Sequence, residues 1–290
     1  MVDVIIIGRG PAGMSAALYT VRSNLKTLII GRNDSKLRKA DKIDNYYGFA
    51  DTISGDRLLD EGELQVKRLG AEVIEDEVIS IEKEEFFNVT TSKTKFSCKA
   101  LLLATGQPQK VIRIENLVKF EGMGVSYCST CDGFFYNGRK VGVLGNKDYA
   151  VHEALELMTY TKDITIFTNG KPLEISSKYD AQEEQFKVDT RQISKLDGSE
   201  FLEKIYFADG TSEELEGLFV AYESASSVDF ARKLGIMVDG NTVVTDVKQM
   251  TNLSGVFAAG DCTSSFKQIS VAVGQGALAG KAISEYVKRL

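Results

Sequence analysis

The chain has 290 residues, 43% hydrophobic and 26% charged, the balance of a soluble globular protein long enough for two domains with cores of their own. A net charge of −6 argues against nucleic acid or an anionic membrane as partner, and no apolar run approaches the roughly 18 residues of a membrane span. The four cysteines are too few for a secreted disulfide framework, so a cytoplasmic chain is expected.

The opening "MVDVIIIGRG" carries an acid before its apolar run and a glycine turn after it, which reads as a first β-strand (2–7) rather than a signal peptide. A small-residue helix from 11 to about 21 and a strand at 27–30 complete a βαβ unit. In the turn, "IIIGRGPAG" spaces Gly8, Gly10 and Gly13 as G-x-G-x-x-G. The first glycine allows the tight turn, the second admits a diphosphate, and the third lets helix and strand pack closely. Pro11 suits the first helical position, and the helix N-terminus offers unpaired N–H groups to phosphate. The ribose-binding acid expected about 20 residues on is missing, because Ile30-Gly31-Arg32 stands there. Adenosine must be recognised by other groups. Short alternating strands near 78–82, 86–91 and 94–98 precede the apolar run "ALLLATG" at 100–106.

In mid-chain, "YCSTCDGFFY" places Cys128 and Cys131 at disulfide-forming spacing, with Asp132 next. A zinc site needs about four ligands; there is no second C-x-x-C and His152 is the only histidine, so no metal is expected. A redox pair fits better: one thiolate attacks a substrate disulfide and the other resolves the mixed disulfide, with Asp132 shuttling the proton. The structural alternative is two buried, unpaired cysteines. Cys98 and Cys262 read as packing residues.

The second half repeats the first: strand 141–144, helix about 149–160, strand 164–167, short strands near 186–190 and 201–207 with an Asp209-Gly210 turn, then the apolar run "GLFVAY" at 217–222. Its loop reads Gly145, Asn146, Lys147, Asp148, Tyr149, Ala150, so Lys147 stands where a middle glycine would admit pyrophosphate. His152 falls with Glu156 away from the Ala150, Ala154, Met158 stripe and is expected to be a solvated surface histidine. The segment "TNLSGVFAAGDC" (251–262) begins a last strand and helix with no sheet of their own, which most simply complete the first domain. The fold class is therefore α/β: two Rossmann-like domains, each βαβ plus a β-meander, the first discontinuous.

The glycine loop "GRGPAG", the segment "CSTCDGFFY" and "GVFAAGD", in this order and spacing, resemble the low-molecular-weight thioredoxin reductases over essentially the whole chain. The resemblance implies the class II pyridine nucleotide-disulfide reductase architecture in a homodimer. An FAD domain would comprise residues 1–113 and 242–290, with a central NADPH-domain-like module at 114–241. It implies that Gly8, Gly10, Pro11, Ala12 and Gly13 hold the FAD diphosphate. Leu37, Asn45 and Val78 would line the cofactor, Asp261 beside Gly260 would bind the ribityl chain, and Gln268 and Ile269, preceded by Lys267, would sit at the flavin ring. Cys131 would face the flavin, Cys128 would attack thioredoxin, and Asp132 would act as acid–base group.

The central module departs from the family. NADPH-using members carry G-x-G-x-x-A there and a His-Arg-Arg cluster at the end of the next strand, where arginines clamp the 2′-phosphate. Here that position reads Thr168, Asn169, Gly170, and no arginine occurs between Arg139 and Arg191. Tyr149 also replaces a small residue. This pattern resembles the ferredoxin-dependent flavin thioredoxin reductases. The energetics permit it: from about −400 mV for a plant-type ferredoxin to about −270 mV for thioredoxin is roughly 6 kcal/mol downhill over two electrons. Lys36, Arg38, Lys39 and Lys42 form an expected docking patch for an acidic ferredoxin beside the flavin. The rival readings are an NADPH-dependent enzyme in which Lys147 grips phosphate, a flavin redox sensor without turnover, and another donor such as flavodoxin or a second flavin at the dimer surface.

Overall fold

The structure is a computed structural model describing residues 1–106 and 112–290. It divides into two compact units, Met1–Gln109 with Ser226–Leu290, and Lys110–Ala225.

The first unit opens with β1 (Val2–Ile7), α1 (Pro11–Arg22), β2 (Thr27–Gly31), α2 (Gly55–Arg68), β3 (Glu72–Glu75), β4 (Val78–Lys83), β5 (Phe87–Thr91) and β6 (Lys95–Leu103). From Val4 to Ile7 β1 is a continuous β-branched run, as suits a strand covered on both faces, and Ile6 lies opposite Ile29 on one side and Leu102 on the other. β3 extends the parallel sheet beyond β2, while β5 and β4 add antiparallel strands at the other side. β3 escaped the sequence reading because its four residues, "EVIE", lack a buried face. The strand expected at 94–98 and the run at 100–106 are one element, β6. Its first half pairs antiparallel with β5 and its second half parallel with β1. Lys99, which interrupts the apolar pattern, reaches Asp3 at 2.7 Å instead of ending the strand.

The second unit contains β7 (Val125–Ser126), α3 (Ser129–Asp132), β8 (Val141–Leu144), α4 (Asp148–Leu157), β9 (Ile164–Phe167), α5 (Asp180–Glu183), β10 (Lys187–Asp189), β11 (Ile193–Asp197), β12 (Lys204–Phe207), β13 (Ser212–Glu214) and β14 (Gly217–Val220). Its main sheet runs β10-β9-β8-β14-β7, all pairs parallel, and β11-β12-β13 form the separate antiparallel meander. Phe120, Phe167, Leu196, Ile205 and Leu218 are among its buried core.

The chain then returns to the first unit with α6 (Ser227–Lys233), β15 (Val238–Asp239), β16 (Thr242–Val243), β17 (Val256–Ala258) and α7 (Ile269–Val287). β17 pairs parallel with β6, Phe257 opposite Leu102, so the C-terminal segment completes the first sheet. The first compact unit resumes at Ser226. The reason is α6, which starts in a reciprocal cap between Ser226 and Asp229 and packs on β4, β15 and β16. α7 lies against α1 at very close range: a Cβ on Gly276 would stand 2.2 Å from the Ala12 carbonyl oxygen, and one on Gly280 would stand 2.4 Å from that of Ala16. Among the described residues no helix is long and apolar enough to cross a membrane.

Candidate active site

The first glycine loop divides its work among its three glycines. Gly8 has φ +126°, and a Cβ there would meet the Ala104 carbonyl oxygen at 2.1 Å. A Cβ on Gly13 would meet the Gly8 oxygen at 2.1 Å, while one on Gly10 would find no atom within 4 Å. The outer glycines are thus demanded by the protein, whereas the middle one has open space beside it. α1 starts at Pro11 with no side-chain cap among the described residues, leaving its N-terminal N–H groups available to a ligand. At the end of β2, where an acid was absent, Arg9 is held by Glu63 at 2.6 Å and Glu75 at 3.3 Å, and Arg32 pairs with Asp34 and Glu77.

Around this loop the structure brings together residues far apart in sequence. The Asn45 side-chain amide donates to Gln268 Oε1 at 2.9 Å, and Gln268 precedes Ile269, the first residue of α7. Gly260, with φ +89°, donates its N–H to Gln275 Oε1 at 2.8 Å, and a Cβ on it would stand 2.9 Å from that of Ala12. Next to it, burial raises the Asp261 carboxyl above its ordinary pKa, partly opposed by Lys267. Leu37 and Val78 stand on other elements, a 3₁₀ turn at Lys36–Lys39 and the start of β4.

The expected basic patch is smaller than its sequence suggests. Lys36, Lys39 and Lys42 are exposed, but Arg38 turns back onto α2, donating to Asp56 at 2.9 Å and Asp60 at 3.0 Å. Its pKa is raised first by the bond to Asp56. Arg38 is a strut, because its long side chain spans the gap between the 3₁₀ turn and α2.

In the second unit Cys128 and Cys131 form a disulfide. Cys128 is buried and caps α3, its Sγ accepting the Cys131 N–H at 3.1 Å, whereas Cys131 is exposed. Ser126 Oγ accepts the Cys128 N–H at 3.1 Å and donates to Asp132 Oδ2 at 2.6 Å. Asp132 borders a cavity of about 1170 Å³ that Phe135, Tyr136, Arg139 and Phe201 also line. Burial and then Asp132 push the Tyr136 hydroxyl pKa up.

Behind the disulfide, α4 presents two carboxylates to α3, with His152 beside one of them. Glu153, 2% exposed, accepts the Ser129 N–H at 3.3 Å; Glu156 accepts the hydroxyls of Ser129 and Thr130, the latter at 3.1 Å. His152 Nε2 lies 3.2 Å from Glu156 Oε1 with its side chain only 18% exposed. The expected solvated histidine is therefore half-buried, because its carboxylate neighbour is engaged by α3. The Glu153/Glu156 spacing of three, which puts two carboxylates on one helix face, was the signal that sequence reasoning passed over. Cys98 and Cys262 are buried, and desolvation pushes their thiols up to about 12 and about 11.

Residues 2–276 match the family described as "Pyridine nucleotide-disulphide oxidoreductase". The chain belongs to that family. The thioredoxin reductase of Listeria monocytogenes is 33% identical over 99% of this chain and 94% of its own. The atypical thioredoxin reductase of Desulfovibrio vulgaris Hildenborough superposes with a TM-score of 0.94 at 42% identity, covering 100% of this chain and 99% of that one. The ferredoxin-flavin thioredoxin reductase of Clostridium acetobutylicum gives a TM-score of 0.72 at 28% identity over 100% and 99%. Within the family this chain is a thioredoxin reductase-type flavin disulfide oxidoreductase, and its cofactor is FAD. The open space at Gly10 and the uncapped start of α1 suit the diphosphate of that cofactor.

As a pyridine nucleotide-disulphide oxidoreductase, it has an unusual second loop. Gly145 keeps the tight turn, since a Cβ there would stand 2.2 Å from the Ala221 oxygen. Lys147 Nζ pairs with Glu223 at 2.8 Å, and Glu223, held at φ +65°, also receives Lys171. Burial opposes the Lys171 ammonium, but Glu223 and Tyr222, whose ring centroid lies 4.5 Å away, outweigh it and push its pKa up to about 12. Asp148 accepts from the Ser176 N–H at 2.6 Å and its hydroxyl at 2.7 Å. Tyr149 is 2% exposed and belongs to the core, so its ring is a packing residue, unlike Lys147. After β9, Thr168 Oγ1 donates to the Lys171 carbonyl and Asn169 Oδ1 accepts the Ile193 N–H at 2.8 Å, so both serve the turn itself. Arg191 is committed to Asp189 and Glu213, and its guanidinium lies 3.7 Å from the Phe207 ring centroid.

Proposed function

We propose that this chain reduces thioredoxin with electrons drawn from ferredoxin, without a pyridine nucleotide. The observation that carries this reading is the Lys147–Glu223–Lys171 cluster: the lysine that replaces the loop's middle glycine is already engaged by the protein's own carboxylate, which it shares with Lys171. FAD, when bound, accepts electrons singly and passes them on as a pair. Gly8, Gly10, Pro11, Ala12 and Gly13 hold its diphosphate, the outer glycines shaping the turn and α1 supplying N–H donors. Asn45, Gln268 and Ile269 position the ring, Gly260 and Asp261 the ribityl chain, and Leu37 and Val78 the walls. Lys36, Lys39, Lys42 and Lys267, all exposed, steer an acidic ferredoxin.

Reduction of the Cys128–Cys131 disulfide takes up two electrons and two protons. Cys128 then attacks the thioredoxin disulfide, releasing one thioredoxin thiol, and Cys131 attacks Cys128 to release the second. Asp132, oriented by Ser126, carries the proton between Cys131 and the leaving sulfur. The enzyme acts as a homodimer in the cytoplasm. Met237, Val244 and Val247 are exposed apolar residues of the first unit that a second copy would cover, which sedimentation velocity reads directly.

The deciding experiment is anaerobic mixing of the holoenzyme with NADPH, NADH or reduced ferredoxin while the flavin absorbance is followed. Ferredoxin should bleach it and the nucleotides should not. Rapid bleaching by NADPH would establish instead a nucleotide-dependent enzyme in which Lys147 and Lys171 leave Glu223 for phosphate. Bleaching by ferredoxin without turnover of thioredoxin would make the chain a sensor.

A further inference from the structure

The two residues between the redox cysteines are not idle spacers. Ser129 gives its N–H to Glu153 and its hydroxyl to Glu156, and Thr130 gives its hydroxyl to the same Glu156 at 3.1 Å. Two carboxylates of α4 therefore grip the turn that carries both sulfurs, one of them through the peptide N–H directly following Cys128. α4 and α3 are packed closely enough that a Cβ on Gly133 would stand 2.6 Å from the Tyr160 ring and 3.4 Å from Leu157.

While the disulfide is closed these carboxylates hold the turn. Once it is opened, a thiolate on Cys128 would be a third negative charge in a place already supplied with two, in surroundings where water screens weakly. We propose that Glu156, backed by Glu153 and His152, is a positioning and charge-setting group for the redox pair. It fixes the Ser129-Thr130 turn between the sulfurs and suppresses the thiolate form of Cys128.

The groups around Glu156 bear this out from each element packed on α4. His152 and Glu153 lie on its own helix, and Asp132 ends α3. On the other side Tyr179, with Lys178 over its ring, feels both Asp148 and Glu156: burial first and then these two carboxylates push its hydroxyl up to about 12. Asp180 follows at the start of α5. Among these named groups carboxylates predominate, with Lys178 beside them. The inference rests on the disulfide being the redox pair and not on the identity of the electron donor, so its failure would leave the ferredoxin proposal standing.

The test uses FAD-loaded Cys131→Ser protein, in which Cys128 keeps a lone thiol, with and without Glu156→Gln. The rate of iodoacetamide alkylation at Cys128 is followed against pH and located by peptide mass mapping. EDTA is present because ligand atoms of His152, Glu153 and Glu156 lie within 4.8 Å of one another and a stray cation would neutralise them. Cys98 and Cys262, buried with thiols pushed up, alkylate last. Glutamine keeps an acceptor for Ser129 and Thr130 but removes the charge. The midpoint should move about one pH unit lower, giving about tenfold faster alkylation on its acid side. Glu156→Asp, which keeps the charge, should return the midpoint toward that of the parent. An unmoved or higher midpoint in Glu156→Gln, with FAD content unchanged, would overturn the proposal; so would an aspartate variant that shifts as far as the glutamine one.

Discussion

The two glycine loops begin alike and end differently. Each follows a buried parallel strand and opens a helix, and in each the first glycine is pressed against the carbonyl after the returning strand. The distances for an added Cβ are 2.1 Å to Ala104 at Gly8 and 2.2 Å to Ala221 at Gly145. That glycine belongs to the fold, because strand, turn and helix cannot close over a side chain there. The middle position belongs to the ligand. Gly10 has open space beside it, and its counterpart Lys147 lies in an ion cluster with Glu223 and Lys171. The turn thus keeps its shape in both loops, while the residue at the middle position differs.

The strongest way to break this comparison is Gly10→Val. With no atom within 4 Å of the new Cβ, the chain should fold and melt as its parent does without cofactor, yet lose roughly a hundredfold in FAD affinity. Flavin absorbance of the purified variant and its melting temperature read the two halves separately. Gly8→Ala should fail earlier, as an unstable chain, because its clash is with backbone at a positive φ. Equal FAD content in Gly10→Val and the parent would remove the distinction drawn here.

Next in size, Cys128→Ser and Cys131→Ser should each reduce thioredoxin turnover to background while donor-driven flavin reduction continues, because attack and resolution need both thiols. A long-wavelength charge-transfer band in Cys128→Ser supports Cys131 as the flavin-facing thiol. The same band in Cys131→Ser instead would exchange the two roles, in keeping with the exposure of Cys131.

Glu223→Ala sharpens the comparison from the other loop. Releasing Lys147 and Lys171 should raise affinity for pyrophosphate about tenfold, measured by calorimetry. It also carries a pH signature. Lys171 has a folded pKa of about 12 against 10.5 for the unfolded chain, so it stabilises the fold below pH 10.5 and that contribution is lost as pH rises toward about 12. Denaturation midpoints should fall across that window in the parent and stay flatter in Glu223→Ala. The smallest effect is at the docking surface. Replacing Lys36, Lys39 and Lys42 with Gln should slow flavin reduction by ferredoxin a few-fold at low salt and flatten its salt dependence. Arg38→Gln should instead spare that rate and cost about 1 kcal/mol of stability or less.

How much of this was legible beforehand follows from the range of the signals. The two strand-glycine-helix units are local patterns of periodicity and turn chemistry, and both formed, the second helix ending at Leu157 rather than near 160. β3, β11 and β13 were not anticipated, since short strands at a sheet edge or in an exposed meander need little apolar alternation. Lys99 broke a pattern without breaking a strand because Asp3 was waiting for it.

By itself the amino-acid sequence determined the α/β class, the first glycine loop, the redox spacing of Cys128 and Cys131 and the loss of the second loop's middle glycine, all properties of residues close in the chain. Tertiary structure decided what required distant partners. It set Arg38 on Asp56 and Asp60, Asn45 on Gln268, Lys147 and Lys171 on Glu223, and Glu153 and Glu156 beneath the turn between the cysteines. A charge announces itself in sequence, but whether it faces water or a countercharge depends on which element the fold lays against it.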